Sequence, residues 1–136
     1  MPVAYARAVD HYGQSGPLAA AAEQSPHQLI ECLLAGALAR IAAARQALAG
    51  GDDAARRRAS SRVVEIVGYL DGILDEQAGG EVARGLRGLY EYCVLRLFEA
   101  NLHRDDAAYA EVAELLGEIK RAWDAIPAGS RQGVAA

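Results

Sequence analysis

Residues 25–51 read SPHQLIECLLAGALARIAAARQALAGG, and this stretch decides the fold. Ser25 is a helix N-cap residue, Pro26 fits the first helical position, and Gln28, three residues after the cap, can reach back to the cap's own N–H. Ile30, Leu34, Ala37, Ile41, Ala44 and Leu48 then recur at alternating steps of four and three, with Leu29, Leu33 and Leu38 widening the stripe, before Gly50-Gly51 ends it. This is one long amphipathic helix that needs partners to cover its apolar side.

The rest of the chain supplies three such partners. Asp52 or Asp53 can cap a second helix, whose stripe runs through Val63, Ile66, Val67, Leu70, Ile73 and Leu74 up to a stop at Gly79-Gly80. A third helix restarts at Glu81. It carries Val82, Leu86, Leu89, Cys93 and Leu97 on one face, and Tyr92, Leu95, Phe98 and Leu102 on a neighbouring one, a width that predicts two contact surfaces. Asp105 can cap a fourth helix with Ala108, Val112, Leu115, Ile119, Ala122 and Ile126 in register, broken at Pro127. Alternation is not sustained and no turn dipeptide sits between two alternating runs, so no strands are expected. Short connections make consecutive helices antiparallel neighbours, and the fold expected is an all-α, up-down-up-down four-helix bundle over 25–126. Residues 1–24, with Gly13, Gly16 and Pro17, read as an arm that carries at most one short helix, and 127–136 as a flexible tail.

With 52% hydrophobic and 24% charged residues the chain is too apolar for disorder, and its 136 residues suit one domain. The formal charge of −4 argues against nucleic acid, which needs a basic face. Arg56, Arg57, Arg58 and Arg62 form a local basic cluster, read as a solvated helix face. No signal-peptide pattern or uninterrupted apolar span of membrane length is seen, so a cytoplasmic protein without membrane insertion is expected. Cys32 and Cys93 sit among apolar helix positions and are expected to be reduced and structural.

Catalytic patterns fail one by one. A di-iron bundle needs two Glu-x-x-His motifs; the nearest approach, Glu99 with His103, has the wrong spacing and no counterpart. Gly79, Gly80, Gly85 and Gly88 follow no strand and do not form a phosphate cradle; they read as a turn and close helix packing. Asp71 with Asp75, and Glu111 with Glu114 and Glu118, are the carboxylates of amphipathic helices. No enzyme, metal or cofactor is expected. A signalling or phosphorelay bundle is the rival binding class, but it wants an exposed mid-helix histidine, whereas His27 and His103 lie near predicted helix ends.

One ordered set of motifs adds to this. Tyr5 and Tyr12 in the arm, Ser25-Pro26 with Leu29-Ile30 and Gly36-Ala37, and Gly79-Gly80-Glu81-Val82-Ala83 are followed by Leu89-Tyr90-Glu91-Tyr92, Arg96-Leu97, Glu99-Ala100-Asn101 and Asp105. With Glu111-Val112 through Ala122-Trp123, this order resembles the FliS family of flagellar export chaperones along nearly the whole chain. Where that family usually has Met-Leu-Tyr-Asp-Gly, this chain has Cys32-Leu33-Leu34-Ala35-Gly36, lacking one tyrosine and one acid. The resemblance implies a cytosolic chaperone that binds the disordered C-terminal segment of flagellin, prevents premature polymerisation and meets other flagellar export components. It also implies an arm that folds back over the body. Expected partner contacts are Tyr5, Tyr12, Leu29, Leu33, Tyr90, Tyr92 and Leu95, with Tyr90 and Tyr92 on different sides of their helix. Expected structural residues are Ser25, Pro26, Asn101 as a helix-end cap, Asp105, and Trp123 in the core.

Overall fold

A computed structural model describes residues 25–126, so Tyr5, Tyr12, the arm over 1–24 and the tail over 127–136 lie outside the described residues. Four helices make up the described chain: α1 (Pro26–Ala49), α2 (Asp53–Gly72), α3 (Glu76–His103) and α4 (Asp106–Ala125). Each packs on its predecessor and α4 returns to α1, so the helices form an antiparallel up-down-up-down square. The starts are set by short polar side chains. Asp52, Asp75 and Asp105 each accept the backbone N–H three residues on, at 3.0, 3.1 and 3.3 Å, which satisfies donors that the first helical turn leaves unpaired. At α1 the Gln28 side-chain oxygen accepts the Ser25 backbone N–H at 3.1 Å.

Leu34, Ala37, Ile41 and Ala44 of α1, Val63 and Val67 of α2, Cys93 and Leu97 of α3, and Val112 and Leu116 of α4 form the fully buried interior. By length and composition α1 alone could cross a membrane, with a mean hydropathy of 1.3, yet its inner row is enclosed by the other helices as in a bundle's core helix. Two polar links cross the interior. Ser60 of α2 and Tyr109 of α4 share a buried hydrogen bond of 2.6 Å, and Trp123 donates its indole N–H to the His27 carbonyl at 3.1 Å.

Several expectations change. Gly79-Gly80 is not where α2 stops: α2 ends at Gly72 and Asp75 caps a first turn of α3, while Gly80, at φ 54° and ψ −125°, leaves the helical conformation and divides that turn from the helix that restarts at Glu81. Arg56 is not on a solvated face. It is 4% exposed, its Nε donating to Asn101 of α3 at 3.1 Å and its head paired with Asp53, which Arg104 also holds at 2.9 Å. Burial is tolerable because two of its nitrogens find partners, Nε in Asn101 and one terminal nitrogen in Asp53. Asn101 therefore bonds a side chain across the bundle instead of capping its own helix. Gly85 and Gly88 do not mediate close packing, since a Cβ at either would meet nothing within 4 Å. Val82 and Leu89, placed on one face with Leu86, Cys93 and Leu97, are 59% and 38% exposed, while Cys93 and Leu97 are fully buried. On α4 the buried row is Tyr109, Val112, Leu116 and Trp123, while Leu115 and Ile119 are half-buried and Ala122 is exposed.

Candidate docking surface

The exposed large apolar residues among the described ones, Val82, Leu89, Tyr92, Leu95, Phe98 and Leu102, all lie on α3. Concentration on one helix matters, because isolated surface leucines are ordinary while a contiguous apolar face marks an interaction site. Helical spacing divides them into two rows. Leu95, Phe98 and Leu102 follow steps of three and four and point outward, at 64%, 56% and 74% exposure. Val82, Gly85, Leu89, Tyr92 and Arg96 form a second row at steps of three and four.

That second row flanks α4. Its last two members reach the helix: Tyr92 donates its phenolic O–H to Glu111 at 2.6 Å, and Arg96 donates from Nε to the same carboxylate at 2.7 Å. Arg96 also pairs with Glu99 of its own helix at 2.9 Å. These bonds act on the protonation of each member: donation by Tyr92 and then Arg96 lowers the Glu111 carboxyl below its ordinary range, and the same bond raises the Tyr92 phenol. On α4, Leu115, Ile119, Ala122 and Ile126 continue from Glu111 at steps of four, four, three and four, the line that follows α3 antiparallel. With Tyr92 and Arg96 bonded to Glu111, the antiparallel register sets Val82–Leu89 beside Leu115–Ile126, two apolar rows that we read as the walls of a groove ending at that bridge.

A small apolar cleft lies at the same end of the bundle, with Ile30, Leu70, Leu86, Tyr90, Ile119 and Trp123 among its walls. Ile119 thus serves both groove and cleft. Arg87 sits nearby and ties the kinked start of α3 to α2, with Glu76 at 3.0 Å and Asp71 at 3.5 Å.

The residues singled out in the sequence fall into two groups. Tyr92 and Leu95 lie on the exposed face; Leu29, Leu33 and Tyr90 are buried, with Tyr90 in the cleft wall, so Tyr90 and Tyr92 do look to different sides. Ser25 and Asp105 stand at helix starts, Pro26 is in the first turn of α1, and Trp123 is 6% exposed. Sequence reading missed Glu111 as the link between α3 and α4, although an acid in line with Leu115 and Ile119 was the available signal. Among the described residues no group of three or more His, Cys, Asp or Glu side chains could hold a metal. Burial raises the thiol pKa of both cysteines, Cys93 up to about 11.

Comparison with known proteins agrees with a binding role. The model of the family described as "Flagellar protein FliS" matches residues 8–130. The "Flagellar secretion chaperone FliS" of Salmonella typhimurium is 40% identical over 122 residues, covering 89% of this chain and 90% of that protein. "Flagellar secretion chaperone FliSB" of Pseudomonas aeruginosa is 38% identical over 120 residues, 88% of this chain and 95% of its own length, and the Escherichia coli FliS is 31% identical over 119, 87% of this chain and 88% of that protein. With the family model spanning residues 8–130 and these identities running nearly end to end, the chain belongs to the FliS family.

Proposed function

We infer that this protein is a flagellar secretion chaperone that binds flagellin in the bacterial cytosol, through the flagellin's disordered C-terminal segment, and so prevents polymerisation before export. The observation that carries the reading is the concentration of exposed apolar side chains on α3, along the groove read between it and α4 and on its outward row, in a chain of this family. A disordered amphipathic segment gains helix by laying apolar side chains into such a groove. Ordering it costs about 2–5 kcal/mol or more, so one anchor does not suffice. Val82 and Leu89 on the groove row, and Leu95, Phe98 and Leu102 on the outward row, offer anchor points to two stretches of such a segment, enough together to exceed that cost. Tyr90 and Leu29, though buried, line or adjoin the cleft and meet the segment if its anchor enters there. The arm with Tyr5 and Tyr12 competes for the same apolar surface in the free protein, and binding displaces it.

Gly85 supplies the test. It lies in the groove row, is exposed, and an added Cβ there meets nothing within 4 Å. Gly85→Leu therefore fills the groove from its own wall without disturbing the core. Flagellin affinity is expected to fall while the unfolding midpoint holds or rises; unchanged affinity overturns the groove as the docking site.

A further inference from the structure

Glu111 of α4 accepts hydrogen bonds from two α3 residues, and its position at the end of the groove gives it a second consequence. On one side of it the facing rows are apolar: Val82, Gly85 and Leu89 against Leu115, Ile119 and Ala122. On the other side the α3 row continues as Arg96, Glu99 and His103, where no apolar anchor can be buried without stripping charges of water. The bridge marks this boundary and crosses it, because the 2.6 Å bond from Tyr92 and the 2.7 Å bond from Arg96 hold both side chains over the junction.

We propose that Glu111 is a positioning residue for the bound segment: it fixes Tyr92 and Arg96 as an end-stop that sets the register at which a helical segment lies in the α3–α4 groove. This rests on the reading of the groove as the flagellin site. The physical reason is preorganisation. A free Tyr92 ring and a free Arg96 chain would each lose rotamer freedom on binding, whereas the bridge has fixed them beforehand. Without a stop, an apolar stripe with a repeat of three to four residues fits the groove nearly as well one turn further along. The bridge breaks that degeneracy by offering a polar wall at one place.

The probe is a synthetic flagellin C-terminal peptide and the readouts are affinity and register. A photo-crosslinker at position 88, where the native glycine is exposed and open, marks the peptide residue that lies beside it. In the unaltered chain crosslinks concentrate at one peptide position. In Glu111→Ala they spread to positions a helical turn away, and affinity falls by about 5- to 100-fold, the loss expected when two side chains must be ordered anew. Tyr92→Phe keeps the ring and loses half of the bridge, so it gives an intermediate spread. Glu111→Gln, which still accepts from Arg96, restores the single position. The three residues are partly exposed, so the unfolding midpoint moves little in every variant. A single crosslink position kept in Glu111→Ala overturns the end-stop while leaving the groove in place. No crosslink to the unaltered chain overturns both.

Discussion

Replacing Leu95, Phe98 and Leu102 together by alanine separates what the outward face of α3 does for folding from what it does for binding. The three side chains keep 64%, 56% and 74% of their surface in water. Full burial of a leucine or phenylalanine contributes about 1.5–3 kcal/mol, so roughly two thirds of that, about 1–2 kcal/mol each, is still available to a bound segment. Three such losses sum to about 3–6 kcal/mol, and incomplete contact reduces the expected effect to about 2–4 kcal/mol, or roughly 30- to 1,000-fold in Kd. Stability moves the other way or hardly at all, because exposed positions contribute within about 0.5 kcal/mol and alanine favours the helix. Anisotropy of a labelled flagellin C-terminal peptide reads the binding, and thermal unfolding followed through Trp123, the single tryptophan, reads the fold. Leu97→Ala, next to Phe98 in the chain but fully buried, is the contrasting case and should lose about 2–5 kcal/mol of stability. The reasoning is refuted if the triple variant binds as the unaltered chain does, or if it unfolds as readily as Leu97→Ala.

Tyr109→Phe strips the buried Ser60 hydroxyl of its 2.6 Å partner and should destabilise by about 1–3 kcal/mol, while Ser60→Ala added to it recovers part of the loss; denaturant titration of the full double-mutant cycle checks this. Asp53 is held well below the usual carboxylate range by hydrogen bonds from Arg104 and Arg56. Its contribution is therefore fully present above the unfolded pKa of about 3.9 and is lost as pH falls through the folded value. Melting curves of Asp53→Asn should accordingly fall below those of the native chain at neutral pH and converge with them in strong acid; a gap that stays constant with pH contradicts the assignment. Burial raises Cys93 to about 11, leaving little thiolate at neutral pH, so native-state thiol titration should show it reacting only as the protein unfolds. Rapid modification of the folded protein would mean that it is not the packed residue described.

Much of the bundle is legible from local rules, and the exceptions have a common cause. Ser25-Pro26, Asp52 and Asp105 announce helix starts because capping is settled within four residues, and the stripes of α1 and α2 announce their inner faces because few alternatives compete. Gly79-Gly80 misleads because paired glycines end a helix or kink one with equal ease, and they overshadow the local cap that starts α3 earlier, Asp75 accepting the Ala78 N–H at 3.1 Å. Arg56 misleads because a charge run is read along the chain, whereas its partner Asn101 is 45 residues away. On α4 both Leu115 and Leu116 are apolar, so the stripe can be drawn through either, and the choice rests on how Tyr109 reaches Ser60 from the other side of the core. The exposed width of α3 was readable because Tyr92, Leu95, Phe98 and Leu102 exceed what one interface needs. Its bridge to Glu111 was not, since two helices must be docked before their facing rows are known.

Calorimetric titration of the full chain with monomeric flagellin, intact and lacking its C-terminal segment, tests docking most directly. Folding of that segment onto the α3 face predicts one-to-one binding to intact flagellin with a clearly negative heat-capacity change, and no binding to the truncated form. Equal affinity for the two forms contradicts it.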